Sequence, residues 1–298
     1  MHDDMDARIA PPPSGGLIRL QARAADLGSW LGPAWATLCG VLASGAFQGQ
    51  RRDYVKLLLL LFLVDAGWGT IWSALAGTDW ALALARWQTW DKNTPAATLP
   101  YTRPGTYGDR ISHWVGKLST WWRMVFWPAC GSAVRALLVT LPLTALLALL
   151  LGPELLLLSI AAAALMQLGV FWEGGRGVVP PAWDGFIAVT LPWLAGHVVF
   201  GTVTLASATL ATLFALAWGS AWAIPLRRAR TLLIATQLLS AGCLVVLHRP
   251  LAAGTLLISL IPQMALLPWT PDDLPASRFV RYTRPWLMAA MAVAALVL

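Results

Sequence analysis

Charge is what this chain has least of. Asp, Glu, Lys and Arg make up 12% of its 298 residues, about half the share found in soluble domains. That is too little to cover a water-exposed surface, so a soluble globular fold is excluded. Cysteine is scarce as well. Cys39, Cys130 and Cys243 stand far apart in apolar surroundings, with no CxxC or His-Cys cluster, which removes both a disulfide framework and a thiolate metal site. The order of a signal peptide, a basic start before an apolar run, is also missing. Residues 1–16 are acidic and proline-rich instead.

What the chain has in quantity is apolar sequence, 58% by residue, with mean hydropathy +0.65. The expected fold class is therefore all-α, a polytopic membrane protein. A span needs about 20 apolar residues, and about nine such segments can be placed in the sequence. The first runs from Leu31 to Phe47 and the second from Tyr54 to Gly77. Between Arg135 and Glu173 the one charged residue is Glu154, beside Gly152-Pro153. Gly-Pro pairs punctuate chains, so this is a tight hairpin of two spans. The uncharged stretch between Asp184 and Arg227 holds two more, turning near Gly201. Spans at Thr231–Leu247, on to Leu267, and at the C-terminal end complete the set. Residues 1–30 read as a cytoplasmic tail with a short interfacial helix, and 31–298 as one transmembrane helical domain. Its long cytoplasmic loop covers about 78–130, including an aromatic surface-lying stretch from Trp114 to Trp127.

With the N-terminus inside, every Lys and Arg except Arg51, Arg52, Lys56 and Arg249 falls in an inside segment. The positive-inside rule selects that orientation, in a bacterial inner (cytoplasmic) membrane. The net charge of +7 then marks topology, and no nucleic-acid partner is implied. The expected partners are membrane lipids and other integral membrane subunits. The 18 tryptophans gather near span ends, where amphipathic rings suit the headgroup layer.

A few polar residues stand out against this background. Asp65 lies in the apolar middle of the second span and Asp79 at its end; an ionisable group at membrane depth is a functional candidate by default. The plainer reading is a protonated or hydrogen-bonded carboxyl. Along a helix the two lie about 21 Å apart, so they cannot share one metal. His197 sits within LPWLAGHVVFG, where imidazole can ligate haem or a pigment metal, or simply hydrogen-bond inside the bundle. Arg227 and Arg228 can meet phosphate or anionic lipid, or serve only as topology signals.

Nine spans, an inside N-terminus and large inside loops after spans two and six together resemble the UbiA family of intramembrane prenyltransferases. Arg103-Pro104-Gly105-Thr106-Tyr107-Gly108-Asp109-Arg110-Ile111-Ser112 is similar to the family's Arg-Pro, Gly, Ile-Ser pattern after span two, with one extra residue. The hairpin LLLGPELLLLSIAAAALMQLGVFW resembles the family's spans three and four. The run FWEGGRGVVPPAWDGFIAVTLPWLAGHVVFG resembles its next loop and span, with Arg176 as the one basic residue. The resemblance implies a UbiA-like helical bundle and makes Arg103 and Arg176 ligand-binding candidates beside Asp65, Asp79, Arg227 and Arg228.

The departures define the expected function. Family enzymes carry two acidic motifs that hold magnesium against the prenyl diphosphate, because hard Mg²⁺ wants several oxygen ligands and neutralises the leaving charge. Here Trp68–Asp79 has one acid, at its end, and the loop Trp222–Arg230 has none. No D-x-x-x-D occurs in the chain. The expectation is a protein with no catalytic residues and no resident metal. It would be an accessory or scaffold subunit of a quinone- or chlorophyll-linked energy-conversion complex, with a bound isoprenoid lipid, quinone or chlorophyll. The alternative is a divergent Mg-dependent prenyltransferase acting on an aromatic or tetrapyrrole acceptor. A small transporter or flippase is disfavoured, because the internal repeat many transporters show is missing.

Overall fold

The computed structural model describes residues 32–78, 80–89, 105–172, 181–224, 226–267 and 276–298. They are all-helical, with no strand among them. Helix α1 is Pro33–Ala43 and α2 is Arg51–Ala76, with a π-helical segment at Leu63–Trp68. Helix α3 is Trp80–Thr89 and α4 is Tyr107–Leu151, with a second π segment at Trp122–Phe126. Helix α5 is Pro153–Trp172. Helix α6 runs as Pro181–Gly185, a π segment Phe186–Thr190, and Leu191–Phe200. Then come α7 (Leu205–Trp222), α8 (Arg227–Val246), α9 (Pro250–Leu266) and α10 (Ala276–Val297). Five of these, α2, α4, α6, α7 and α8, contain stretches long and apolar enough to cross a membrane. Helix α1, the apolar part of α5 and α9 are shorter apolar helices.

The turns follow from local chemistry. Gly152, at φ 147°, separates α4 from the proline that starts α5; only glycine takes that conformation readily. Helix α8 ends in a left-handed residue, His248, with Arg249 N–H bonded back to the Leu244 carbonyl at 2.8 Å. That satisfies a C-terminal carbonyl, and Pro250 then opens α9. The Arg103–Ser112 motif is described from Gly105 onward. It forms the start of α4: the Thr106 side chain accepts from Asp109 N–H, and the Asp109 carboxylate accepts from Gly105 N–H at 3.0 Å. Thr106 is thus the helix N-cap, and Asp109, three residues on, ties back the turn that precedes it.

The region read as a loop of about 78–130 contains α3 and the first part of α4. The aromatic stretch and the following span form one continuous helix of 45 residues, about 67 Å long and more than twice the hydrocarbon thickness. Charges at Arg110, Lys117 and Arg123 interrupt the apolar run without interrupting helical geometry. An aromatic cluster secures α3 to this part of α4. Trp87 meets Trp114 and Trp121 edge-on, and Lys117 lies 4.6 Å from the Trp87 ring centre. Residues 1–30, Asp79, Arg103 and Arg176 lie outside the described residues.

Two buried apolar clusters share α1 and α6. One joins them to α7, α8, α9 and α10; the other joins them to α2, α4 and α5. Helices α1 and α6 are the seam of the bundle, and glycines let them touch. A Cβ on Gly40 would fall on the Trp193 carbonyl, and one on Gly196 on the Thr37 carbonyl. Small residues at such crossings permit the backbone approach that drives helix association in lipid. Between α8 and α9, Gln237 and Gln263 form a fully buried reciprocal amide pair, at 2.9 and 3.1 Å.

Candidate functional site

A cavity of about 330 Å³ gathers the helix ends on one side of the bundle. Its walls come from the start of α1 (Gly32, Pro33), the later part of α2 (Val64, Trp68, Gly69, Trp72), Met166 of α5, and the first turns of α6 (Asp184, Ile187, Ala188, Pro192). Trp218 and Trp222 at the end of α7 and Arg284 of α10 close it. On α2 the spacing from Val64 and Trp68 to Trp72, and on α6 from Asp184 and Ala188 to Pro192, keeps one face of each helix inward.

Both of those helices change geometry where they meet the cavity. Val64 and Trp68 belong to the π segment Leu63–Trp68, and Ile187 and Ala188 to the π segment Phe186–Thr190. A π turn inserts a residue into the helical register and is frequent at functional sites. Here the two inserted turns face each other across one space. Gly185, next to Asp184, sits so close to the Ala215 carbonyl of α7 that a Cβ there would collide with it. That contact sets the depth of Asp184 against α7.

Among the described residues, the charges lining the cavity are Asp184 and Arg284. The Trp72 indole hydrogen-bonds to the Asp184 carboxylate. Among the described residues no Lys, Arg or His lies within 4 Å of that carboxylate. The Arg284 guanidinium stacks on Trp218, 5.0 Å from the ring centre. A carboxylate accepts several hydrogen bonds and an arginine offers a planar fork of donors. The cavity therefore offers a small polar group both an acceptor and a donor set, while the indoles supply apolar walls. Among the described residues no three of His, Cys, Asp and Glu gather as metal ligands.

The residues singled out from sequence are dispersed around this site. Asp65 lies in the π segment of α2, half-buried, between the lining residues Val64 and Trp68 but not itself on the cavity wall. Arg227 and Arg228 are exposed in the first turn of α8, outside the cavity lining. His197 stands near the opposite end of α6, about 20 Å along the helix from Asp184. Its Nε2 meets the Thr202 carbonyl at 2.7 Å, so that nitrogen carries the proton, and its Nδ1 meets the Ser207 hydroxyl at 3.1 Å. The Trp193 indole donates to the same hydroxyl at 2.9 Å. A metal at His197 would have to displace one of these partners.

Asp184, Arg284 and the tryptophans around them were not legible as a site. Asp184 reads in sequence as the last charge before an apolar run, and Arg284 as one of three arginines at the head of the final helix. The available signal was an acid placed a full turn inside a helix start, after Pro180-Pro181. Comparison of the chain with protein-family models, with curated proteins and with solved structures finds no match.

Proposed function

We propose that this chain is a non-catalytic integral membrane protein that holds the polar head of an amphipathic lipid and serves as an accessory subunit of a larger membrane assembly. In this reading the apolar helices form a nine-span, UbiA-like bundle in a bacterial inner membrane. The N-terminus is cytoplasmic, and a quinone- or chlorophyll-linked complex is the setting. The cavity carries the proposal. Its volume lies at the small end of ligand sites, and its described lining brings together indoles, the Asp184 carboxylate and the Arg284 guanidinium. It also collects the bundle end that bears Arg227, Arg228, Arg278 and Arg281, the end that the positive-inside rule assigns to the cytoplasm. Helix α4 favours assembly, because only 17% of its apolar window is buried within the chain, against 56% for α2, α6 and α7. That leaves a long face for lipid or neighbouring helices.

The test is to solubilise native membranes gently, measure the mass of the particle containing this chain, and identify its lipids and proteins. Reproducible migration with other membrane subunits in fixed ratio, with lipid retained, is the expected result. Migration as a lone chain would sink the accessory role. Magnesium-dependent prenyl transfer that disappears in Asp184→Asn would replace this reading with that of a divergent transferase.

A further inference from the structure

We infer that the cavity takes the zwitterionic headgroup of an amine-bearing phospholipid, with its ammonium against Asp184 and its phosphate against Arg284. The inference rests on the lipid-holding function proposed above and names the chemistry of the lipid. Two opposite charges line one small space, and Asp184 has no cationic side chain of the described residues within 4 Å. A neutral ring such as a quinone brings no charge to either group. Burying an ionised side chain without a charged or strongly hydrogen-bonding partner is costly. The ammonium of a zwitterion supplies a cation to Asp184, and its phosphate lies on the side of the same space that carries Arg284.

The surroundings fit each half of such a headgroup. Trp72 occupies one hydrogen-bonding position of the Asp184 carboxylate, and a carboxylate has about four, so an ammonium has acceptors to meet. Trp72, Trp218 and Trp222 line the same space, and indole faces attract ammonium groups. Arg284 lies over the Trp218 ring, and a guanidinium carries five N–H donors, more than one partner uses, so its planar fork can also engage phosphate oxygens. The space of about 330 Å³ suits a headgroup with its acyl chains left outside in the bilayer. The tryptophans place it at headgroup depth, where such rings collect.

The experiment uses the full chain in mild detergent and counts bound lipid by native mass spectrometry. The probes are phosphatidylethanolamine, phosphatidylglycerol and a short-tailed benzoquinone. The wild-type chain should prefer phosphatidylethanolamine over phosphatidylglycerol by about 10- to 100-fold, the span expected for a charge-assisted contact. Asp184→Asn should erase that preference, and Arg284→Gln should weaken both phospholipids. Because the preference is a ratio within each variant, it does not depend on equal stability. Ala188→Phe, which fills the cavity from α6, should remove the bound lipid altogether. Equal binding of the two phospholipids by wild type, or a preference that survives Asp184→Asn, overturns the inference. Displacement of the lipid by water-soluble glycerophosphoethanolamine at matched concentration overturns its lipid source. A quinone that outcompetes both phospholipids sinks the headgroup assignment and leaves the lipid-holding function standing. A wild-type chain that carries no amphiphile beyond what Ala188→Phe carries sinks both.

Discussion

Replacing Gln237 by leucine should cost more than replacing Gln237 and Gln263 together. The two amides face each other between α8 and α9, at 0% and 1% exposure, and exchange two hydrogen bonds of 2.9 and 3.1 Å. Gln263 also donates to the Ser259 carbonyl at 3.0 Å. In Gln237→Leu the Gln263 amide keeps that bond but loses its partner for Oε1. A buried polar group left unsatisfied costs about 1–3 kcal/mol, and interhelical bonds in membrane proteins average about 0.6 kcal/mol, with a maximum near 1.7. The single variant should therefore lose about 1–3 kcal/mol. Gln263→Leu should lose more than Gln237→Leu, because Gln237 has no other side-chain bond to fall back on among the described residues. The double leucine variant removes both amides and leaves nothing unsatisfied. It should lie within about 1 kcal/mol of wild type, near the cost of the interhelical bonds alone. Equilibrium unfolding in mixed micelles, run as a double-mutant cycle, reads the coupling directly. If the double variant's loss equals the sum of the two single losses, the amides do not meet as described, and the pairing of α8 with α9 is wrong at this level.

Other expectations follow from single contacts. Gly40→Ala places a methyl against the Trp193 backbone, which cannot swing aside. It should lower stability by about 1–3 kcal/mol, while Gly242→Ala, with nothing within 4 Å of its Cβ, should stay within about 0.5 kcal/mol; thermal unfolding in detergent compares the two. Ser207→Ala removes the hydroxyl shared by His197 and Trp193 and should lower the same melting temperature by more than Thr209→Ala, an exposed hydroxyl bonded only to its own helix. A single cysteine at Trp222, in a background without Cys39, Cys130 and Cys243, should react with a membrane-impermeant maleimide only after the cytoplasmic face is opened. A cysteine at Gly45 should react in intact cells. The reverse pattern would invert the proposed orientation.

The helical architecture could be read from sequence where punctuation is chemical. Gly152-Pro153, the turn after Phe200 and the His248-Arg249-Pro250 break all mark real helix ends, because glycine and proline force a backbone choice that apolar periodicity alone does not. The join between the aromatic stretch and the span that follows it escaped the same reasoning. Charge at Arg110, Lys117 and Arg123 is informative about depth in the membrane, and a helix continues through a change of depth without any signal. The site was hidden for a related reason. Asp65 drew attention because it is isolated inside an apolar run, yet in the π-helical turn that carries it Val64 and Trp68 line the cavity wall and Asp65 does not. Asp184 looked like a boundary residue because the next charge is far along the chain, at Arg227. Its candidacy rests on what the fold gathers around the same cavity, Trp72 from α2 and Arg284 from α10, residues distant in sequence and unrelated by any spacing. A pair of opposite charges on one cavity is a property of helix packing, and here the packing depends on glycines at positions 40, 185 and 196 that sequence alone would count as ordinary small residues of a membrane helix.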